Sequence, residues 1–446
     1  MTILKLKQMT RITLASIILC TLFSGCGKQS NKITDIYFSP IMTANLTTQE
    51  KTPDATISLP KETPDSKLRT VDCEAFLNLR EKPNGNSKSL AKVPKGATVT
   101  FLGYSETFAK IDYNGKKGYI IAGYLQEIGS QSYMRDLSVV LPSEEYSYDT
   151  LINDIEKLKS EYPGRISVEI IGKSEEGRDI PVIIFGNNEA RNHILIHASI
   201  HAREHMTSLL AMALLDYSLG RGDTHYKDAD IDASLENVCF HIIPMINPDG
   251  VMLSQGTRPK ETALKIYESD KKYGYTDLSQ DEYFRRWKAN ANGIDMNRNF
   301  DGGWEKEETR KAPSCMNYKG TGAECARESR ALGDYTRSHR FSMTISLHAF
   351  GSIIYWQFGD DEALNDRSLD LSNTVSKISG FTTQNMAKQS GSGGYKDWVM
   401  QELKIPSLTI EIGTRQCPLP LNEFSSIWLR CRLLLPTLAD WIKTQN

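Results

Sequence analysis

Apolar residues follow four successive patterns along the chain, and each predicts a different structure. From Ile12 to Phe23 they run almost unbroken behind Lys5, Lys7 and Arg11, the layout of an export signal over residues 1–26. The run is shorter than the roughly 20 residues a membrane-spanning helix needs. Residues 27–67 lack apolar clusters and are rich in Thr, Ser, Pro, Lys and Asp, as in Thr47-Thr48-Gln49-Glu50-Lys51-Thr52-Pro53-Asp54, so they read as a flexible tether. Over residues 68–128 short alternating runs such as Ala97-Thr98-Val99-Thr100-Phe101-Leu102 and Lys117-Gly118-Tyr119-Ile120-Ile121 are broken by turn residues, which predicts a small all-β barrel. From 134 to 446 the period switches repeatedly between helix and strand. Leu151, Ile152, Ile155 and Leu158 have helical spacing within Tyr148–Tyr162, stopped by Pro163-Gly164. Strand-like runs follow at Ile166–Ile171, Ile180–Phe185, His193–His197, Cys239–Ile246, Ser342–Leu347 and Ser407–Ile412, predicting an α/β domain with a sheet of at least six strands.

Composition narrows the partners. Hydrophobic content of 39% and charged content of 24% are ordinary for a folded chain, and 446 residues suffice for two or three domains. A net charge of -2 argues against nucleic acid as a partner and against a broad basic surface for anionic lipid. Export permits disulfides. Beyond Cys20 and Cys26, Cys315 with Cys325 and Cys417 with Cys431 are candidate bridges, although spacing does not fix the pairing. The absence of a CxxC pair disfavours a thiolate zinc site.

The chemistry concentrates in His201-Ala202-Arg203-Glu204-His205, which follows a strand and runs into the apolar helix Met206–Leu219. Two zinc readings fit. In one, His201 and Glu204 are ligands on one helical face and a third ligand comes from elsewhere. In the other, the H-x-x-E-H string makes His201 and His205 the ligands and Glu204 the base, as in inverzincins. A three-ligand open site needs a distant donor. His348 fits this need, since it ends the strand Met343–Leu347 at the carboxyl edge of the expected sheet. Glu411, inside the otherwise apolar strand Ser407–Ile412, is costly to bury without a task and is the candidate base. His193, His197, His225, His241 and His339 read as core or surface residues.

Four resemblances extend this reading. Leu22-Phe23-Ser24-Gly25-Cys26 resembles the lipobox of bacterial lipoproteins, which implies a lipid on Cys26 and a place on the outer face of the cytoplasmic membrane. Leu77-Asn78-Leu79-Arg80-Glu81-Lys82-Pro83, Val93-Pro94-Lys95-Gly96 and Gly118-Tyr119-Ile120 resemble the bacterial SH3-like domain, implying a cell-wall-binding module. His201-Ala-Arg-Glu204, Asn247-Pro-Asp-Gly250, Asp295-Met-Asn297-Arg298-Asn299, Ser346-Leu-His348 and Thr409-Ile-Glu411 resemble the zinc carboxypeptidase family. That resemblance implies a mixed central sheet with helices on both faces and one Zn2+ held by His201, Glu204 and His348. It further implies Glu411 as base, Arg203, Asn297 and Arg298 on a substrate carboxylate, and Asp295 hydrogen-bonded to His201. The family's oxyanion-binding arginine falls on Lys288 in Arg285-Arg286-Trp287-Lys288, with Arg285 and Arg286 as the other cations within reach, and its mobile tyrosine falls near Gln389, with Tyr395 close by. Lys396 occupies the position facing the substrate side chain beyond the scissile bond, where a cation favours an acidic group. With the wall module and the lipid, the whole looks like the bacterial branch that cleaves the γ-D-glutamyl–diaminopimelate bond of peptidoglycan stem peptides. A conventional carboxypeptidase acting on protein-derived peptides is the enzymatic alternative, and a wall-binding lipoprotein with an inactive peptidase fold is the non-enzymatic one.

Overall fold

The computed structural model describes residues 68–445 except 72, 74, 106–107, 128–135, 221–234, 307–308, 386–392 and 415–416. The signal and tether, Cys26, His225 and Gln389 therefore lie outside the described residues.

Seven short strands come first: β1 (Leu68–Val71), β2 (Phe76–Arg80), β3 (Ser89–Pro94), β4 (Thr98–Ser105), β5 (Phe108–Tyr113), β6 (Lys116–Ile121) and β7 (Leu125–Glu127). They pair antiparallel in the order β3-β2-β6-β5-β4-β1-β7. Alternation selects the core: Leu77 and Leu79 turn inward, with Asn78 facing away between them, to meet Val71, Val93, Ile111 and Ile120. Gly118 is required where β6 crosses β2, because a Cβ there would stand 2.7 Å from the Arg80 carbonyl oxygen.

The larger unit contains eight strands: β8 (Ile166–Lys173), β9 (Asp179–Gly186), β10 (Asn192–Ala198), β11 (Val238–Ile243), β12 (Phe341–Ala349), β13 (Ile353–Tyr355), β14 (Thr382–Gln384) and β15 (Ser407–Ile412). Its helices are α1 (Tyr148–Glu161), α2 (Met206–Gly220), α3 (Pro248–Ser254), α4 (Glu261–Lys272), α5 (Gln280–Arg285), α6 (Arg327–Ser338), α7 (Glu362–Ser379), α8 (Tyr395–Glu402), α9 (Phe424–Cys431) and α10 (Leu434–Lys443). The sheet order is β14-β13-β15-β12-β10-β11-β9-β8, with β11, β10, β12 and β15 mutually parallel and β9 and β13 antiparallel to their central neighbours. It is the mixed sheet implied by the resemblance, covered on one face by α1, α2, α9 and α10 and on the other by α6 and α8. The run expected over Cys239–Ile246 stops as a strand at Ile243, because Pro244 has no N–H to donate to a ladder.

The two inner strands divide their faces unequally. Met343, Ile345 and Leu347 of β12 and Leu408, Ile410 and Ile412 of β15 enter the larger core, while the alternate positions are Thr344, Ser346, His348 and Ser407, Thr409, Glu411. This polar row is paired where it is buried: Thr344 Oγ1 lies 2.6 Å from Ser407 Oγ and Ser346 Oγ lies 2.8 Å from His197 Nε2. It ends at the carboxyl edge with His348 opposite Glu411.

The candidate disulfides are not formed. Cys315 and Cys325 are free, the first packed among Tyr267, Tyr283 and Trp287 and the second 3.3 Å from Asn299 Nδ2. Cys417 and Cys431 are likewise free thiols filling separate positions in the larger core.

The small barrel packs against α9. The buried Arg430 guanidinium lies 5.4 Å from the Tyr124 ring centroid of the barrel and 4.3 Å from that of Phe381, while its Nε donates to Ser379 O at 2.6 Å.

Glu328, fully buried in the first turn of α6, supplies a pH-dependent stability term. Its oxygens accept from Asn290 Nδ2 and the Glu175 backbone N–H, both at 3.0 Å, but burial outweighs these bonds and pushes its pKa up to about 7 from 4.5. The folded chain thus keeps a proton that the unfolded chain releases. The stabilisation is complete below about pH 4.5 and is lost as pH rises through about 7, a swing of roughly 3 kcal/mol. E328Q should flatten that part of the profile, read as a smaller difference between urea midpoints near pH 5 and near pH 8 than in the parent protein.

Candidate metal centre and catalytic site

The site is assembled where β10 ends. After Ala198 the chain turns through Ser199 at φ 49, a left-handed conformation unusual for a residue with a Cβ. It is held there by its backbone N–H donating to Thr207 Oγ1 at 2.9 Å. His201, in extended conformation, then caps a 3-10 turn over Ala202–Glu204, and α2 begins only at Met206. The Glu204 N–H donates to His201 O at 3.1 Å, and this i to i+3 turn brings the two side chains together without the helix the sequence suggested. The turn is fixed from outside: Ala202 and Arg203 N–H donate to the carbonyls of Lys288 and Trp287 at 3.0 and 2.9 Å. Asn247 Nδ2, whose side-chain oxygen caps α3, donates to Ile200 O at 3.2 Å and Ala289 O at 3.0 Å.

Glu204 faces two imidazoles. Its Oε1 lies 2.9 Å from His201 Nδ1, and its Oε2 lies 3.0 Å from His348 Nδ1 and accepts the Ala349 N–H at 3.1 Å. Asp295 Oδ1 sits 3.2 Å from His201 Nε2, and its Oδ2 accepts the Asn317 N–H at 2.9 Å. A carboxylate on Nε2 puts the proton there and leaves the Nδ1 lone pair facing Glu204, acceptor against acceptor. Such an arrangement calls for a cation. Ligand atoms of His201, Glu204 and His348 all lie within 4.8 Å of one another, and all three residues are buried. Two nitrogens and one carboxylate oxygen with an open side suit zinc. Burial pushes the Glu204 carboxyl up, but the two histidines prevail and hold it well below the usual range. Asp295 is likewise held low against burial by His201, Arg298 and Lys288. His205 lies outside this cluster: burial, aided by the Arg285 charge, lowers it to about 4. The reading with His205 as a ligand is therefore corrected: His205 follows the turn as its C-cap, and the converging donors are those of His201, Glu204 and His348.

Glu411 stands beside His348 across the β12–β15 pair, and its Oε2 has no hydrogen-bond partner among the described residues. Burial, reinforced by Glu204 and opposed by Lys288 and Arg203, pushes its pKa up to about 8. Lys288 bears on Glu411, Asp295, His348 and Cys417, whereas Arg285 bears on His205. Trp287, fully buried, anchors this stretch with Nε1 donating to Asn290 O at 3.1 Å. Arg203 is half-buried, with Nε lacking a hydrogen-bond partner among the described residues.

Other expected site residues have internal partners. Asn297 Oδ1 accepts the Tyr395 N–H at 3.1 Å, and Arg298 Nη1 donates to Asn297 O at 2.8 Å. Lys396 is buried, with Nζ 2.5 Å from Asp397 Oδ1 and 2.9 Å from Gln357 O, so an acidic ligand group would have to compete with Asp397. Tyr395 is fully buried with its hydroxyl 3.0 Å from Thr336 Oγ1, which makes it a core residue. Two contributors had escaped sequence reasoning. Asn247, known from the sequence only as part of the Asn247-Pro-Asp-Gly250 motif, tethers the ligand turn. Cys417, singled out in the sequence only as a disulfide candidate, lies close enough to feel Glu204, Arg203 and Glu411.

Two imidazoles and a carboxylate converging on one point at the carboxyl edge of a mixed sheet, with a further, half-buried carboxyl beside them, define a metallohydrolase. Residues 151–431 match the zinc carboxypeptidase family, and the chain belongs to that family: it is a zinc-dependent metallopeptidase. Residues 75–126 match the bacterial SH3 domain. The chain is similar to gamma-D-glutamyl-L-diamino acid endopeptidase 1 of Lysinibacillus sphaericus, 34% identical over 289 residues that cover 64% of this chain and 70% of the relative. It is 23% identical to carboxypeptidase B of Bos taurus over 344 residues, covering 73% of this chain and 78% of that one. Among solved structures, carboxypeptidase A from Helicoverpa armigera shares the fold at a TM-score of 0.51 and 20% identity, over 67% of this chain and 74% of the other.

Proposed function

We propose that this metallopeptidase hydrolyses an amide bond of peptidoglycan stem peptides, the γ-D-glutamyl–meso-diaminopimelate bond, at the outer face of the bacterial cytoplasmic membrane. The observation that carries the substrate is the 34% identity over 289 residues to a protein named for γ-D-glutamyl–diamino acid cleavage. The bacterial SH3 match beside the peptidase supports attachment to the wall, and the lipobox-like Cys26 supports a membrane anchor.

His201, Glu204 and His348 would hold the zinc, with Asp295 fixing the His201 tautomer. Bound there, zinc supplies a Lewis acid that lowers the pKa of water toward about 7. Glu411, raised toward neutrality, takes the water's proton and delivers it to the leaving amine. Lys288, whose charge already bears on Glu411, stabilises the oxyanion, and Arg203, half-buried in the ligand turn, stays with the substrate carboxylate. Arg298 and Asn297 receive a substrate carboxylate, and Lys396 contributes there by exchanging Asp397 for an acidic group of diaminopimelate.

K288M should lower kcat by roughly 10²–10³ with KM little changed, as for loss of an oxyanion donor. R285M should stay near the parent rate, and the reverse order would transfer the role to Arg285. For the substrate, purified full-length protein is incubated with peptidoglycan fragments and with peptides bearing free C-termini, and products are read by mass spectrometry. Cleavage between γ-glutamyl and diaminopimelate residues is expected. Release of C-terminal amino acids from ordinary peptides alone would assign a conventional carboxypeptidase instead.

A further inference from the structure

A second group of metal-ligating side chains lies at the opposite end of the sheet. The parallel register of β10 and β11 sets His193 opposite Cys239, and His241, two residues further on, shares the face of Cys239. His193 Nδ1 is 2.8 Å from His241 Nε2, Cys239 Sγ is 3.6 Å from the same nitrogen, and all three ligand atoms fall within 4.8 Å of one another. Five residue steps along β10, about 16 Å, separate His193 from Ala198 at the catalytic edge.

The surroundings are those of a ligand set. His241 Nδ1 is engaged by the Tyr335 hydroxyl of α6 at 2.6 Å, which orients the ring and turns Nε2 toward the other two donors, as outer hydrogen bonds do for metal-bound imidazoles. Cys239 and His241 are buried and His193 is half-buried, which leaves one side for access. The Cys239 thiol donates to Asn188 Oδ1 at 3.4 Å, so a fourth, oxygen donor stands beside the sulfur. His339 stands edge-on to His241, but its Nδ1 is occupied by Tyr335 O and Ser338 Oγ, both at 3.0 Å. Zinc bonds of about 2.05 Å to nitrogen and 2.3 Å to sulfur place tetrahedral ligands about 3.3 Å apart for N and N and about 3.6 Å for N and S. The Cys239–His241 spacing already has that value, and the half-exposed His193 ring need open from His241 by only about half an ångström.

We propose that His193, Cys239 and His241 form a second metal site, separate from the catalytic one, for a thiophilic late transition ion such as Zn2+. Burial pushes the Cys239 thiol up to about 11, so it is neutral before binding and uptake of the ion releases its proton to solvent. The bound ion ties β10 to β11, and through Tyr335 to α6.

Metal-stripped full-length protein titrated with Co2+ tests this, because the catalytic donors are nitrogen and oxygen while this site adds sulfur. Two equivalents should bind, one of them producing a near-ultraviolet thiolate-to-cobalt charge-transfer band. C239S should lose that band and one equivalent while peptide hydrolysis continues at the parent rate. H193Q, at the half-exposed position, should also lose one equivalent and keep the parent melting temperature in the metal-free form, which separates lost ligation from misfolding. Binding of a single equivalent would overturn the proposal. So would a band that survives C239S and disappears in C417S, which would trace it to the thiol beside the catalytic donors.

Discussion

E411Q is expected to lower kcat by roughly 10²–10⁴, about 3–5 kcal/mol of transition-state stabilisation, while the protein still folds and still binds zinc. Glutamine keeps the shape and the register opposite His348, so β15 has no reason to shift. What is lost is proton transfer at one atom. The parent carboxyl has an Oε2 with no hydrogen-bond partner among the described residues and a pKa raised to about 8, chiefly by burial, so it is poised to exchange a proton with a substrate-side group near neutral pH. An amide exchanges none. Zinc content by atomic absorption should equal that of the parent, and KM should move little because Glu411 is not among the groups proposed to hold the substrate carboxylate. An E411Q protein retaining more than about a tenth of parental kcat would move the base elsewhere.

Much of this site could be read from residue order, for a definite reason. Alternation in Ser342–Leu347 and Ser407–Ile412 requires one apolar and one polar face, and a polar face ending in histidine and glutamate is costly to bury without a task. The features that could not be read arise from contacts between distant segments. Ser199 carries no glycine-like mark of its positive φ, and the 3-10 turn that brings Glu204 to His201 depends on carbonyls of Trp287 and Lys288 more than eighty positions away. Lys396 was expected to face substrate, yet its neighbour Asp397 and the Gln357 carbonyl engage it once α8 forms. The cysteine pairs were close in sequence, but all four thiols are free in the fold, Cys417 and Cys431 as packing side chains of one core. His193, Cys239 and His241 each resemble ordinary core positions, and only the β10–β11 register brings them together. The same holds for Arg430, which meets Tyr124 of the small barrel through packing that neither segment signals alone.

The ligand set should separate in a graded series of zinc contents. H348A is expected to lose the catalytic zinc equivalent and activity together, because it removes one of three donors and strips Glu204 Oε2 of its imidazole partner. D295N should retain the site with about 10–100-fold weaker zinc binding, since it withdraws only the hydrogen bond that fixes the His201 tautomer. H205A should keep zinc at the parental level: that ring lies outside the cluster of His201, Glu204 and His348, and burial keeps it neutral. Competition against a chelator of known affinity reads all three. The order is informative because the two sequence readings share only His201 as a ligand: one adds Glu204 and His348, the other adds His205 and makes Glu204 the base. Loss of zinc in H205A with retention in H348A would invert the assignment, and would require the His348 strand end to stand away from the ion despite its 3.0 Å contact with Glu204.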